Sequence, residues 1–443
     1  MAKKVYPVKS QRNPGAAWVI SVNMGYGHQR TAYPLKDLAF QEQIINANDY
    51  KGINIQDKKI WNRTRLFYEF ISNFKRLPLA GDFIFSIFDA FQKILGFYPK
   101  RDLSRPNFAI RQIYSLLEKG WGRDLILQLN PGQAKKPLPL ITTFFTPAFI
   151  ADHFHYPGKI FCIVCDADIS RTWASLNPAT SKIKYLVPTE RAAERLKLYG
   201  VKPQNIFLTG YPLPKELIGT KRMEILKKDL KTRIVNLDPQ KKYYEKYKAL
   251  IKKHLGILPK QTSRPLTLLF SVGGAGAQRE IAVKILESLS SKIKQGRVKM
   301  ILSAGIREKT KDYFLENIEK LNFKNVFSKG IEIIFEKDIE SYFNSFNRAL
   351  RKTDILWTKP SELSFYSTLG IPIIIAPSIG SQEEFNKRWL IKSGFGLLQE
   401  NPEYTDQWLF DWLNQGYLAE AAFQGFIEGE KLGTFKIGEI ISK

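Results

Sequence analysis

Leu266-Thr267-Leu268-Leu269-Phe270-Ser271-Val272 runs directly into Gly273-Gly274-Ala275-Gly276-Ala277-Gln278. An apolar run of strand length, closed by a glycine turn and followed by a helical stretch, opens an α/β unit. The same order of parts occurs about 250 residues earlier, where residues 16–22 enter Asn23-Met24-Gly25-Tyr26-Gly27-His28. Around the second loop, residues 298–304, 331–335, 354–358 and 371–377 read as later strands. Around the first, residues 52–57, 138–145, 159–166, 184–188 and 206–212 do so, with a helix over 189–199. Strands alternating with helices predict parallel, doubly wound sheets. Two such openings predict two similar α/β domains. The divisions are 1–212, a basic linker over 213–262, 263–407, and a C-terminal segment over 408–443.

A chain of 443 residues suits two or three domains, and 44% hydrophobic residues suffice for ordinary cores. The 68 Lys+Arg against 42 Asp+Glu leave a net charge of +26, which points to an anionic partner. Residues 221–264 hold 14 of those bases against 4 acids and read as a solvated interdomain helix. No recognised nucleic-acid reading motif accompanies the charge. Two cysteines make no disulfide framework, so a reducing cytoplasm is expected. The apolar runs fall short of the ~20 residues a membrane span needs, and no signal peptide is read.

Each glycine loop carries its own chemistry. Gly273, Gly274, Gly276, Ala277 and Gln278 leave backbone N–H groups open to close approach, and a helix N-terminus follows: an anion site suited to diphosphate. The loop lacks the Gly-Lys-Ser/Thr ending of a P-loop, so ATP hydrolysis is unsupported. Gly25 and Gly27 let the first loop turn so that His28, at a strand's C-terminal edge, reaches a ligand crevice as a proton acceptor. Asp166 and Asp168 share a strand end, and Asp166 is the second candidate base. Cys162-Ile163-Val164-Cys165 lies on an expected strand, where residues three apart face opposite ways, so it is not a redox pair. Asp152-His153-Phe154-His155 has no second ligand cluster, and no metal is expected.

These stretches together resemble the GT-B glycosyltransferase group that contains monogalactosyldiacylglycerol synthase and the peptidoglycan lipid-intermediate N-acetylglucosaminyltransferase. The likeness rests on Gly25-Tyr26-Gly27-His28, on Cys165-Asp166 followed by Trp173, on Leu186-Val187-Pro188-Thr189-Glu190, and on Gly210-Tyr211-Pro212. It continues through residues 273–278, Trp357-Thr358-Lys359-Pro360-Ser361-Glu362, Leu369-Gly370-Ile371-Pro372, and Gly380-Ser381-Gln382-Glu383 with Asn386. The resemblance spans nearly the whole chain in order.

It implies a GT-B fold with two Rossmann-like domains facing across a cleft. The first domain would bind the acceptor and the second a nucleotide sugar, UDP-linked, with no cofactor or metal. Ser361 and Glu362 would lie in the donor pocket, Gln382 and Glu383 at the sugar hydroxyls, and residues 408–443 would return to the first domain. The family's ribose-binding glutamate is Phe365 here, and Glu362 lies one turn earlier.

The aromatics of segment 60–100 are flanked by Lys75, Arg76, Lys93, Lys100 and the adjacent Arg101, a pattern that suits a lipid interface or the core of a helical insertion. The resemblance implies that this region approaches the membrane and a lipid or lipid-linked acceptor, which places the protein peripherally on the inner face of the cell membrane. The implied activity is sugar transfer to that acceptor. The alternatives are a nucleotide-sugar 2-epimerase or a catalytically silent carbohydrate- or lipid-binding protein.

Overall fold

A computed structural model describes residues 16–63, 94–129, 137–273, 276 and 278–443. The twelve strands among them form two six-stranded sheets. The first contains β1 (Ala17–Ser21), β2 (Ala39–Asn46), β3 (Leu140–Thr142), β4 (Ile160–Ile163), β5 (Ile183–Val187) and β6 (Ile206–Leu208). Its order is β2-β1-β3-β4-β5-β6, with every pair parallel. The second contains β7 (Leu266–Ser271), β8 (Val298–Gly305), β9 (Ile331–Phe335), β10 (Ile355–Thr358), β11 (Ile373–Ile375) and β12 (Gly396–Leu398). Its order is β12-β11-β10-β7-β8-β9, again all parallel. Parallel sheets are covered on both faces, which is why the central strands read as unbroken apolar runs. All six residues of β7 are buried.

Each sheet has one point where the winding reverses: between β1 and β3 in the first, between β7 and β10 in the second. Open α/β sheets bind ligands in the crevice beyond the strand ends at such a point. Both glycine loops leave the sheet there.

Residues 52–57 do not form the expected second strand. Asn54 caps a helical stretch over 55–63 by accepting from the Asp57 N–H at 2.7 Å. Asp57 in turn accepts from the Gly122 N–H at 3.0 Å. The second strand is β2, whose Gln41 and Glu42 adopt positive φ and whose pairing with β1 shifts register. That bulge, at a half-exposed sheet edge, breaks the period-two pattern on which a strand reading depends.

The stretch 213–262 is also more than a solvated linker. Leu226, Leu230, Ile234 and Leu237 line one buried face of the helix Glu224–Leu237. On the same helix, buried Arg233 donates to the carbonyls of Thr353, Leu369 and Gly370 at 2.9, 3.1 and 3.1 Å. The lysines of the next helix, Lys242–Leu255, stay on the outside.

The last helix, Gly433–Ser442, places Ile437 and Ile441 in one apolar cluster with Val19, Ile141 and Phe161 of the first sheet. Thr434 anchors it by donating to the Leu213 carbonyl at 2.5 Å. Among the described residues no helix is long and apolar enough to cross a membrane. Most of the aromatic-basic stretch, residues 64–93, lies outside the described residues, as do Gly274 and Ala277.

Candidate functional site

Gly25 enters the helix Tyr26–Ala32 with φ +98°, a conformation that glycine adopts without strain. The turn lays His28 against the end of β3, where its Nδ1 lies 2.8 Å from the Thr143 carbonyl oxygen. A carbonyl only accepts, so Nδ1 carries the proton and Nε2 is left as the basic nitrogen. Phe144 and Trp173 flank the ring, with centroids 4.7 and 6.4 Å away, and Cys165 Sγ approaches Nδ1 at 3.5 Å. His28 as a residue is half-buried, but its ring is enclosed. Burial lowers its pKa to about 4, against the opposing Thr143 bond and the Glu362 charge. The imidazole is therefore neutral at pH 7, the form a proton acceptor needs.

At the second switch point, Lys359 follows β10 and lies over the glycine loop. A Cβ on Gly273 would come within 2.8 Å of Lys359 Cε. Gly276, at φ +70°, donates to the Gly273 carbonyl at 2.7 Å and lies beside Arg307, whose Cδ would be 4.0 Å from an added Cβ. Gln278, also at positive φ, occupies the N-cap position of the helix Arg279–Ser288 without a capping bond, its side chain donating instead to the Pro377 carbonyl at 2.7 Å. The loop is thus flanked by two cationic side chains and leads into a helix N-terminus.

The two carboxylates assigned to donor contacts are engaged elsewhere. Glu383 pairs with Lys359 and accepts from the Ile379 N–H at 2.7 Å. Glu362 receives Arg30 Nε at 3.2 Å, and its Oε2 would lie 3.3 Å from a Cβ on Gly27. Glu362 begins a 3₁₀ segment, Glu362–Leu369, in which residues three apart eclipse. Phe365 lies below it, stacked on Tyr211 at 4.8 Å and packed against Trp389 at 5.0 Å. The side chain replacing the expected glutamate is therefore part of the core. Ser361 precedes the segment without a side-chain capping bond. Gln382 lies half-buried in the first turn of the helix Ser381–Ser393.

Both halves meet at Asp166. Asn386, 1% exposed on the second domain, donates to Asp166 Oδ1 at 3.0 Å and accepts from the Ala167 N–H at 2.8 Å. Burial raises the Asp166 pKa to about 6; the Asn386 bond opposes this, Glu362 and Glu383 add to it, and Lys359 lowers it. Asp168, by contrast, is committed to structure through a two-point ion pair with buried Arg195 at 2.8 and 2.7 Å. A second junction forms where Arg30 lies between the rings of Phe343 and Phe346, 4.7 and 4.4 Å from their centroids. Tyr26 completes it by accepting from the Ile306 N–H at 3.1 Å.

Sequence reading passed over Arg30, Arg307 and Lys359. Lys359 had a usable signal, because it follows β10 directly, as the first glycine loop follows β1. Arg30 had none: its partners are more than 300 residues away in the chain.

A family model described only as a domain of unknown function, DUF6938, matches residues 257–329. No curated protein matches the sequence. Among solved structures, MurG of Acinetobacter baumannii is similar over 96% of this chain and 99% of its own, at 12% identity and a TM-score of 0.50. A glycosyltransferase from Rickettsia africae is similar over 96% of both chains, at 13% identity and a TM-score of 0.42. A UDP-GlcNAc 2-epimerase from Neisseria meningitidis, bound to UDP-GlcNAc, is similar over 81% of this chain and 87% of its own, at 14% identity and a TM-score of 0.42. The two six-stranded parallel sheets and the full-length correspondence to MurG identify the fold of this chain as GT-B.

Proposed function

We propose that this protein binds a nucleotide-diphosphate sugar, UDP-linked, in the cleft between its domains and transfers the sugar to a hydroxyl of a lipid-linked or membrane-embedded acceptor. The observation that carries this reading is the convergence of the two switch points. One presents a glycine loop, a helix N-terminus, Lys359 and Arg307. The other presents His28, with Asp166 between them. An anion-binding end facing a proton-accepting end is the division of labour that sugar transfer from a diphosphate requires.

In this reading the loop amides and Lys359 neutralise the leaving diphosphate without a divalent metal. His28 Nε2 takes the acceptor's proton, or Asp166 does. Gln382 and Glu383 face the sugar once the diphosphate draws Lys359 away from Glu383, and Ser361 and Glu362 line the nucleotide side. The net charge of +26 and the aromatic-basic stretch support an anionic membrane surface as the place of work.

The gathering of Glu362 and Glu383 around Asp166, with Glu362 also facing His28, favours a second reading. Paired acid and base groups also suit 2-epimerisation of a nucleotide sugar. Incubating the protein with UDP-sugars, with and without anionic vesicles carrying a hydroxylated lipid acceptor, separates the two. Vesicle-dependent sugar transfer supports the transferase. Conversion of UDP-GlcNAc to its 2-epimer without vesicles supports the epimerase. No thermal stabilisation by any nucleotide sugar defeats both, since ligand at 100 times its Kd adds about 2.7 kcal/mol.

A further inference from the structure

Asn386 belongs to a stretch whose family resemblance implies contact with the donor sugar, yet its amide is used up by the protein. One N–H goes to Asp166 Oδ1 at 3.0 Å and the other to the Pro360 carbonyl at 3.3 Å. Its Oδ1 takes the Ala167 N–H at 2.8 Å. A primary amide has two donor hydrogens, and both are spent. The side chain is 1% exposed. It joins three segments: the turn after β4 on the first domain, the loop after β10, and the helix Ser381–Ser393. Asp166 is held through Oδ1 alone, and its Oδ2 makes no hydrogen bond among the described residues.

We propose that Asn386 is an interdomain positioning residue, which aims the free oxygen of Asp166 into the cleft and ties it to the helix carrying Gln382 and Glu383, rather than a contact for the donor sugar. The proposal draws its meaning for catalysis from the nucleotide-sugar reading, but its geometry stands without it. The groups facing Asp166 are Glu362 from the 3₁₀ segment, Glu383 from the helix Ser381–Ser393, Lys359 from the turn after β10 and the neighbouring Cys165 thiol. Asn386 is the neutral donor among them that favours the ionised carboxylate.

The test follows the Asp166 carboxyl by carbon-13 NMR across pH in the full chain, with the resonance assigned by its loss in Asp166→Asn. In Asn386→Ala the midpoint should rise by about 0.7 pH unit, the equivalent of one lost hydrogen bond. In Asn386→Asp, which keeps an oxygen for the Ala167 N–H and adds a like charge, it should rise further. Should Asn386→Ala fail to fold, Asn386→Asp carries the comparison. Calorimetry with UDP and with UDP-GlcNAc should give the same affinities for Asn386→Ala as for the parent. An unmoved Asp166 midpoint overturns the proposal, as does a tenfold loss of UDP-GlcNAc affinity with UDP affinity retained. If the parent binds neither ligand, the nucleotide-sugar reading fails and the titration alone decides the role of Asn386.

Discussion

The glycine stretches after β1 and β7 both begin at the end of a central parallel strand where its sheet reverses winding, yet the fold uses their described residues differently. The first loop is closed against the second domain. Tyr26 bonds Ile306 and Gly27 faces Glu362 across the cleft, while His28 is tied to Thr143 of its own domain. The second loop is bordered by Lys359 and Arg307, whose charges suit an anion. A strand, a glycine turn and a helix specify a place for chemistry; the side chains brought in by other segments specify which chemistry occurs there.

The largest effect that separates the loops should come from His28→Ala. If the first loop supplies the proton acceptor, turnover should fall by about 10²–10⁴-fold with nucleotide affinity nearly unchanged. Steady-state kinetics and calorimetry on one preparation check both halves. Near-normal turnover moves the role to Asp166. The shape of the acid limb provides a second check: activity limited by Asp166 should drop as pH falls through about 6, whereas activity limited by His28 should hold until about 4.

Gly274→Asp attacks the other loop by placing a carboxylate where the proposed diphosphate would lie. Nucleoside diphosphate affinity should fall roughly 100-fold, about 2.7 kcal/mol, while circular dichroism stays unchanged. Retained affinity would remove this loop from the site.

Arg30→Met tests whether the first loop is held by the second domain. Breaking a buried pair strands its partner, and Glu362 retains 13% of its exposure, so a loss of about 2 kcal/mol in denaturant unfolding is expected. Adding Glu362→Gln should restore part of that loss, because no unpaired charge then remains. Additive losses would show that the pair does not couple the domains.

The smallest effect concerns the junction. The Asp166 pKa is raised from 3.8 to about 6 in the fold, so the native state favours the protonated form. That contribution is complete below about 3.8 and is lost as pH rises through 6. Asp166→Asn keeps an oxygen for Asn386 and escapes the loss. Relative to the parent, it should gain about 2 kcal/mol of stability as pH rises from 4 to 7. Parallel melting curves across that range would contradict the assignment.

The sequence by itself determined the parallel sheets, because strands buried on both faces must be largely apolar, and β7, β8 and β10 read directly from that rule. It also located both glycine loops, since the turn chemistry of Gly25 and Gly276 is local to the chain. It did not reveal β2, whose pattern is broken by a bulge at a sheet edge, or the helix at 55–63, which depends on the Asn54 cap. Of the candidate site, His28, Asp166 and the loop residues were legible as residue types at strand ends. Tertiary structure alone decided what surrounds them. It put Arg30 on Glu362, Lys359 over Gly273 and Asn386 on Asp166, pairing groups from distant parts of the chain. Those pairings set which carboxylates are spent in ion pairs and how far burial shifts the titrations of His28 and Asp166. Charge and burial are properties of neighbourhood, and periodicity along one chain carries no record of a neighbour hundreds of residues away.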